Sequence, residues 1–211
     1  MLQINVMFYL CIMALTKKRN RWKWLRWPRI ILAKGILRLF GWTYNYAVSK
    51  EITKAVMVVA PHTSNWDFIL GRLCYNALDI RVRFMIKKES FVFPLNLLIR
   101  AWGGIPVDRK NPGNIAEQMS AQFAKYDELV LGITPEGTRK PNPHWKKGFY
   151  RIAMQSNVPM ILTYLDYKRK FGYVGKSMMA SGNYEADMKT MSEFFDECTA
   201  CHPENYVRPK F

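Results

Sequence analysis

The sequence predicts an α/β fold: a largely parallel sheet with helices on both faces, preceded by a basic, amphipathic, membrane-binding helical arm. Continuous apolar runs rich in valine, such as "AVMVVAP" at 55–61 and "ELVLGITP" at 128–135, read as strands buried on both sides. Helical segments of about ten to fourteen residues separate such runs, and this alternation implies parallel βαβ units. The arm follows from charge. Ten of the 32 Lys and Arg residues fall between Met1 and Lys50, where no Asp or Glu occurs, whereas the other 161 residues carry 22 basic and 16 acidic side chains. A cationic segment of this kind seeks a polyanion, either a membrane surface or nucleic acid.

A chain of 211 residues suits an arm (1–42) and one domain (43–211), and 49% hydrophobic with 14% aromatic residues excludes disorder. Four scattered cysteines, Cys11, Cys74, Cys198 and Cys201, are too few for a disulfide framework and fit a reducing cytosolic setting. "CTACH" at 198–202 has the form of a haem-attachment motif or half a zinc site. Haem attachment would need export, and no second Cys/His cluster completes a tetrahedral site, so a surface tail after the last helix is expected.

Within the arm, residues 4–15 are apolar apart from Asn5, too short a run to cross a bilayer unaided and compatible with a shallow plug or with a start at Met13. Between 17 and 29, seven cations interleave with Trp22, Trp24 and Trp27. Past Pro28, read as a first-turn proline, Ile30, Ile31, Leu32, Ile36, Leu37, Leu39 and Phe40 form an apolar face. Cations at headgroups with indoles at the interface describe an in-plane membrane helix, and the long aliphatic face disfavours nucleic acid as the partner.

After a linker at 41–53, strand 55–61 leads into a helix over about 66–76, with Phe68, Ile69, Leu73 and Leu78 on a repeating apolar face. Strand 82–87, a short helix over 93–102 and a short strand "GIPVD" follow. A helix over 113–126 buries Ile115, Met119, Phe123 and Tyr126, and strand 128–135 comes next. A helix over 147–157, strands at 159–167 and 171–175, and a helix over 185–198 complete the order.

In an open parallel sheet, ligands bind outside the carboxyl ends of the strands. Three polar clusters fall there: "PHTSNWD" after the first strand, "PVDRK" after 104–107, and "PEGTRK" after 129–134. In the first, Asp67 is placed to accept from one imidazole nitrogen of His62 and leave the other as a base for an alcohol. The same pair also reads as a helix-capping carboxylate beside a loop histidine. Ser64 lacks the strand–elbow–helix context of a nucleophile. Arg109 and Arg139 suit bidentate phosphate binding, and Gly137 lets backbone amides approach an oxyanion.

Taken in order, "HTSNWD", "GGIPVDR", "TPEGTRK" and the strand "VPMILTYLDY" resemble the blocks of the glycerolipid acyltransferase family, which includes the 1-acylglycerol-3-phosphate acyltransferases; the resemblance runs from about residue 50 to 180. It implies that His62 takes the proton from an acceptor hydroxyl that attacks the thioester of acyl-CoA or acyl-carrier protein, with Asp67 orienting His62. It also implies that Arg109, Glu136, Gly137, Thr138 and Arg139 bind the phosphate or glycerol end of a lysolipid, most simply 1-acylglycerol-3-phosphate. The acyl donor is then a co-substrate, with no cofactor and no metal, and the enzyme sits on the cytoplasmic face of a membrane, peripheral or monotopic. The chain departs from the family's pattern at Pro106, Thr134 and Lys140. A phosphate-free lyso-aminolipid would use the same dyad, and a non-catalytic basic lipid- or nucleic-acid-binding protein is the rival of a different class.

Overall fold

The computed structural model describes residues 23–108 and 114–211, with the side chains of 23–25 left out. The apolar run at 4–15, most of the cation–tryptophan stretch and Arg109 therefore lie outside the described residues. Seven strands form one sheet in the order β1-β7-β6-β2-β5-β3-β4. They are β1 (Thr43–Tyr46), β2 (Lys54–Val59), β3 (Val82–Lys87), β4 (Gly104–Val107), β5 (Leu129–Ile133), β6 (Met160–Asp166) and β7 (Phe171–Met178). β2 to β6 run parallel, while β7 is antiparallel to β6 and carries β1 with it. The carboxyl ends of β2, β3, β4, β5 and β6 thus share one rim.

The helices are α1 (Lys23–Leu39), α2 (Trp66–Ala77), α3 (Leu95–Ala101), α4 (Ile115–Lys125), α5 (Gly148–Ser156) and α6 (Tyr184–Phe195). Period-two alternation along β2 sends Ala55 and Met57 to one face and Val56 and Val58 to the other, and all four are fully buried. The second face packs Met119 and Phe123 of α4, Phe149 and Ile152 of α5, and Met188 and Met191 of α6. On the first face, α1 lays Ala33 and Leu37 against Cys74 and Ala77 of α2.

Four local expectations need correction. Residues 41–53 are more than a linker, because Thr43–Tyr46 pairs with Phe171–Val174 as an edge strand; a polar "TYNY" has no apolar run to announce it. Pro28 lies inside α1 and does not open it. On α2 the buried side is Asp67, Gly71, Cys74, Tyr75 and Ala77, while Phe68 and Ile69 are exposed. Small side chains let α1 approach closely, with Leu70 and Leu73 packed beside that contact, and Phe68 turns toward the cavity. Finally, "CTACH" is more than a surface tail: Ala200 is buried, the Tyr167 N–H donates to the Thr199 carbonyl, and the His202 N–H donates to Thr63 Oγ1. Among the described residues, no helix is long and apolar enough to cross a membrane.

Candidate active site

β2 ends at Val59, and the chain turns through Pro61 to His62 before α2 begins at Trp66. Asp67, in the first turn of α2, points back into that loop and is 5% exposed. Its Oδ2 accepts from His62 Nδ1 (3.0 Å) and from the backbone N–H groups of Thr63 and Ser64 (2.8 Å each). Oδ1 accepts from the Tyr167 hydroxyl at 2.6 Å. Asp67 is a first-turn carboxylate of α2, but its bonds go to the loop before the helix and to His62 and Tyr167, not to the helix N–H groups.

Burial pushes the Asp67 carboxyl up, but the hydrogen bonds from His62, Tyr167 and the Ser64 N–H outweigh it and hold the group below the usual carboxylate range. An anionic Asp67 fixes the Nδ1–H tautomer of His62, leaving Nε2 with a free lone pair. Burial, then the bond to Asp67, pushes the Tyr167 phenol strongly up, so it stays a donor. Ser64 Oγ accepts from the Trp66 N–H and is buried.

The loop after β5 lies beside the loop after β2, since Ile133 pairs with Val58. It places both carboxylate oxygens of Glu136 3.0 Å from the His62 N–H. Glu136 is 5% exposed, and burial pushes its carboxyl up to about 8, with the anion of Asp67 adding to the shift and the His62 N–H opposing it. Its side chain does not line the cavity, whereas Gly137, Thr138 and Arg139 do.

That cavity, of about 1570 Å³, is walled by His62 and Asp67, by apolar Phe68, Leu95, Leu98, Ile99 and Trp102, and by Arg139, Lys140, Lys146 and Arg151. A long apolar wall, a base and a cationic end suit an amphiphile with an anionic head. Gly137 has φ +66°, and a Cβ there would come within 2.8 Å of Lys146 Cε. Gly137→Ala is expected to cost about 1–2 kcal/mol, chiefly from the left-handed backbone, as chemical denaturation would show.

Burial pushes the Cys74 and Cys198 thiols up to about 12, so neither is a nucleophile at neutral pH. Among the described residues, no three His, Cys, Asp or Glu side chains come together to hold a metal ion. Sequence reasoning missed Tyr167. It follows β6, whose carboxyl end lies on the same rim as the three polar clusters, and a polar "DYKRK" there was the available signal.

The family model described as Acyltransferase matches residues 41–164, more than half of the chain. The chain belongs to the acyltransferase family. The 1-acyl-sn-glycerol-3-phosphate acyltransferases of Limnanthes alba and Limnanthes douglasii are each 29% identical over 160 residues, covering 66% of this chain and 55% of theirs. The chain thus spans about half the length of these curated relatives. The crystal structure of the 1-acyl-sn-glycerophosphate (LPA) acyltransferase, PlsC, from Thermotoga maritima superposes with a TM-score of 0.56 at 18% identity, over 90% of this acyltransferase chain and 87% of that one. It supports the α/β fold.

Proposed function

We propose that this acyltransferase moves a fatty acyl chain from acyl-CoA or acyl-carrier protein to the hydroxyl of a lysolipid, converting 1-acylglycerol-3-phosphate to phosphatidic acid. The observation that carries the reading is the His62–Asp67 pair, its imidazole on the wall of a cavity with an apolar side and a cationic end. His62 Nε2 takes the proton as the hydroxyl oxygen bonds to the thioester carbonyl carbon. The tetrahedral intermediate collapses, the C–S bond breaks, and the imidazolium returns the proton to the departing thiolate. The acyl donor is a co-substrate, and the proposal includes no cofactor.

Thr138, Arg139 and the backbone of Gly137 hold the acceptor's phosphate, with Arg109 joining them from the second sequence block. Glu136 acts by fixing the His62 backbone. Its carboxyl does not itself meet the lipid. Helix α1 exposes Trp27, Ile31, Leu32 and Leu39 beside Lys34 and Arg38, so the arm lies in the headgroup region of the cytoplasmic leaflet.

Thiol release is the test, with purified protein, either acyl donor and a panel of lysolipids. Release with 1-acylglycerol-3-phosphate that disappears in His62→Ala supports the reading. Release only with a phosphate-free hydroxyl lipid keeps the dyad and changes the acceptor, and silence with both donors and every acceptor sinks it. A companion variant, Tyr167→Phe, keeps the ring that packs edge-on against Trp42 (centroids 5.2 Å apart) and removes only the donor to Asp67. It is expected to lower kcat about ten- to a hundredfold with KM unchanged, since a hydrogen bond to a charged group is worth about 1.5–3 kcal/mol.

A further inference from the structure

The segment between β3 and β4 carries an apolar surface without cover among the described residues. Val92, Phe93, Leu95, Leu97, Leu98 and Trp102 are each between 46% and 82% exposed. Helix α3 places Leu95, Leu97, Leu98 and Ile99 around most of its circumference, with Asn96 and Arg100 its polar residues. A helix apolar on nearly every side is stable only in an apolar medium, and contiguous exposed apolar side chains mark an interaction site.

Charge and position select the medium. Lys87 and Arg100 are exposed at the edge of this surface, and Glu89 is the sole acidic residue between 87 and 107. Leu95, Leu98 and Trp102 also line the cavity that holds His62, so the cavity opens through the patch.

We propose that residues 91–102 form a membrane contact separate from the arm, in which Phe93 and α3 seat at the headgroup–acyl boundary of an anionic leaflet and bring the cavity mouth against the bilayer. Apolar side chains supply the insertion and the flanking cations the attraction to anionic lipid. The role rests on the acyl-transfer reading: a lysolipid and its product would pass between leaflet and cavity without crossing water.

The test is hydrogen exchange on the full-length protein, with and without vesicles of phosphatidylglycerol and phosphatidylcholine. Peptides across 91–101 should gain protection on the vesicles. Phe93→Asp/Leu97→Asp, at two positions that do not line the cavity, should lower vesicle flotation by about tenfold or more while leaving turnover of a short-chain, water-soluble acceptor unchanged. Vesicle binding with no change in exchange at 91–101 would overturn the proposal, because the arm alone would then carry the contact. Protection that rises with protein concentration and needs no vesicles would also overturn it, assigning the patch to a second copy of the chain. Should the double variant fail to fold, exchange on the unsubstituted protein decides. Protection on vesicles in a protein that turns over no acceptor would end the acyl-transfer reading and keep the membrane contact.

Discussion

Acyl transfer by His62→Ala is expected to fall by about 10²–10⁴ in kcat, the usual contribution of a positioned general base. KM for the acceptor should move little, because the cationic end of the cavity is untouched. Asp67→Asn should cost less, for a geometric reason. Oδ2 already accepts from His62 Nδ1 and from the Thr63 and Ser64 N–H groups, so the amide oxygen of asparagine takes that place and keeps the imidazole tautomer. What disappears is the negative charge that stabilises the imidazolium, and the amide nitrogen then meets the Tyr167 hydroxyl, which must turn from donor to acceptor. Steady-state kinetics of the two variants side by side check this. Equal losses would show that the negative charge, and not orientation alone, is Asp67's main contribution.

Glu136→Gln is expected to alter stability most, in a pH-dependent way. Burial raises the folded-state carboxyl of Glu136 from 4.5 to about 8. Between those values the folded protein holds a proton that the unfolded chain has released, so stability falls as pH rises through the window and levels off above about pH 8. The full span is a few kcal/mol. Glutamine keeps the acceptor for the His62 N–H and carries no charge, so the variant should match the parent near pH 5 and exceed it near pH 9. Thermal melts across that range, read as variant minus parent, decide it; a flat difference would mean that Glu136 is held as an anion.

The parallel sheet was legible because β2, β5 and β6 are continuous apolar runs that no helix of similar length would explain. The polar clusters were legible as a rim because parallel strands end together. The core face of α2 was not. Periodicity weights large side chains, and here Phe68 stands at the cavity, against Phe84 edge-on, while Cys74 and Ala77 make the helix contact. Neither Tyr167 nor Glu136's hold on a backbone N–H could be read from spacing, because both depend on which loops become neighbours once the strands are ordered. The three-block pattern marked the site, and the sheet order supplied its bracing.

The bond from the His202 N–H to Thr63 Oγ1 joins positions 139 apart. Tyr167, which holds Asp67, is itself tied through its N–H to Thr199. A ribosome therefore releases His62 and Asp67 long before it makes the residues that steady them. Contacts of such long range form late in folding, after local helices and hairpins. The growing polypeptide can set the local bonds of Asp67 early, but the outer brace from Thr199 and His202 can join them only when translation has passed residue 202.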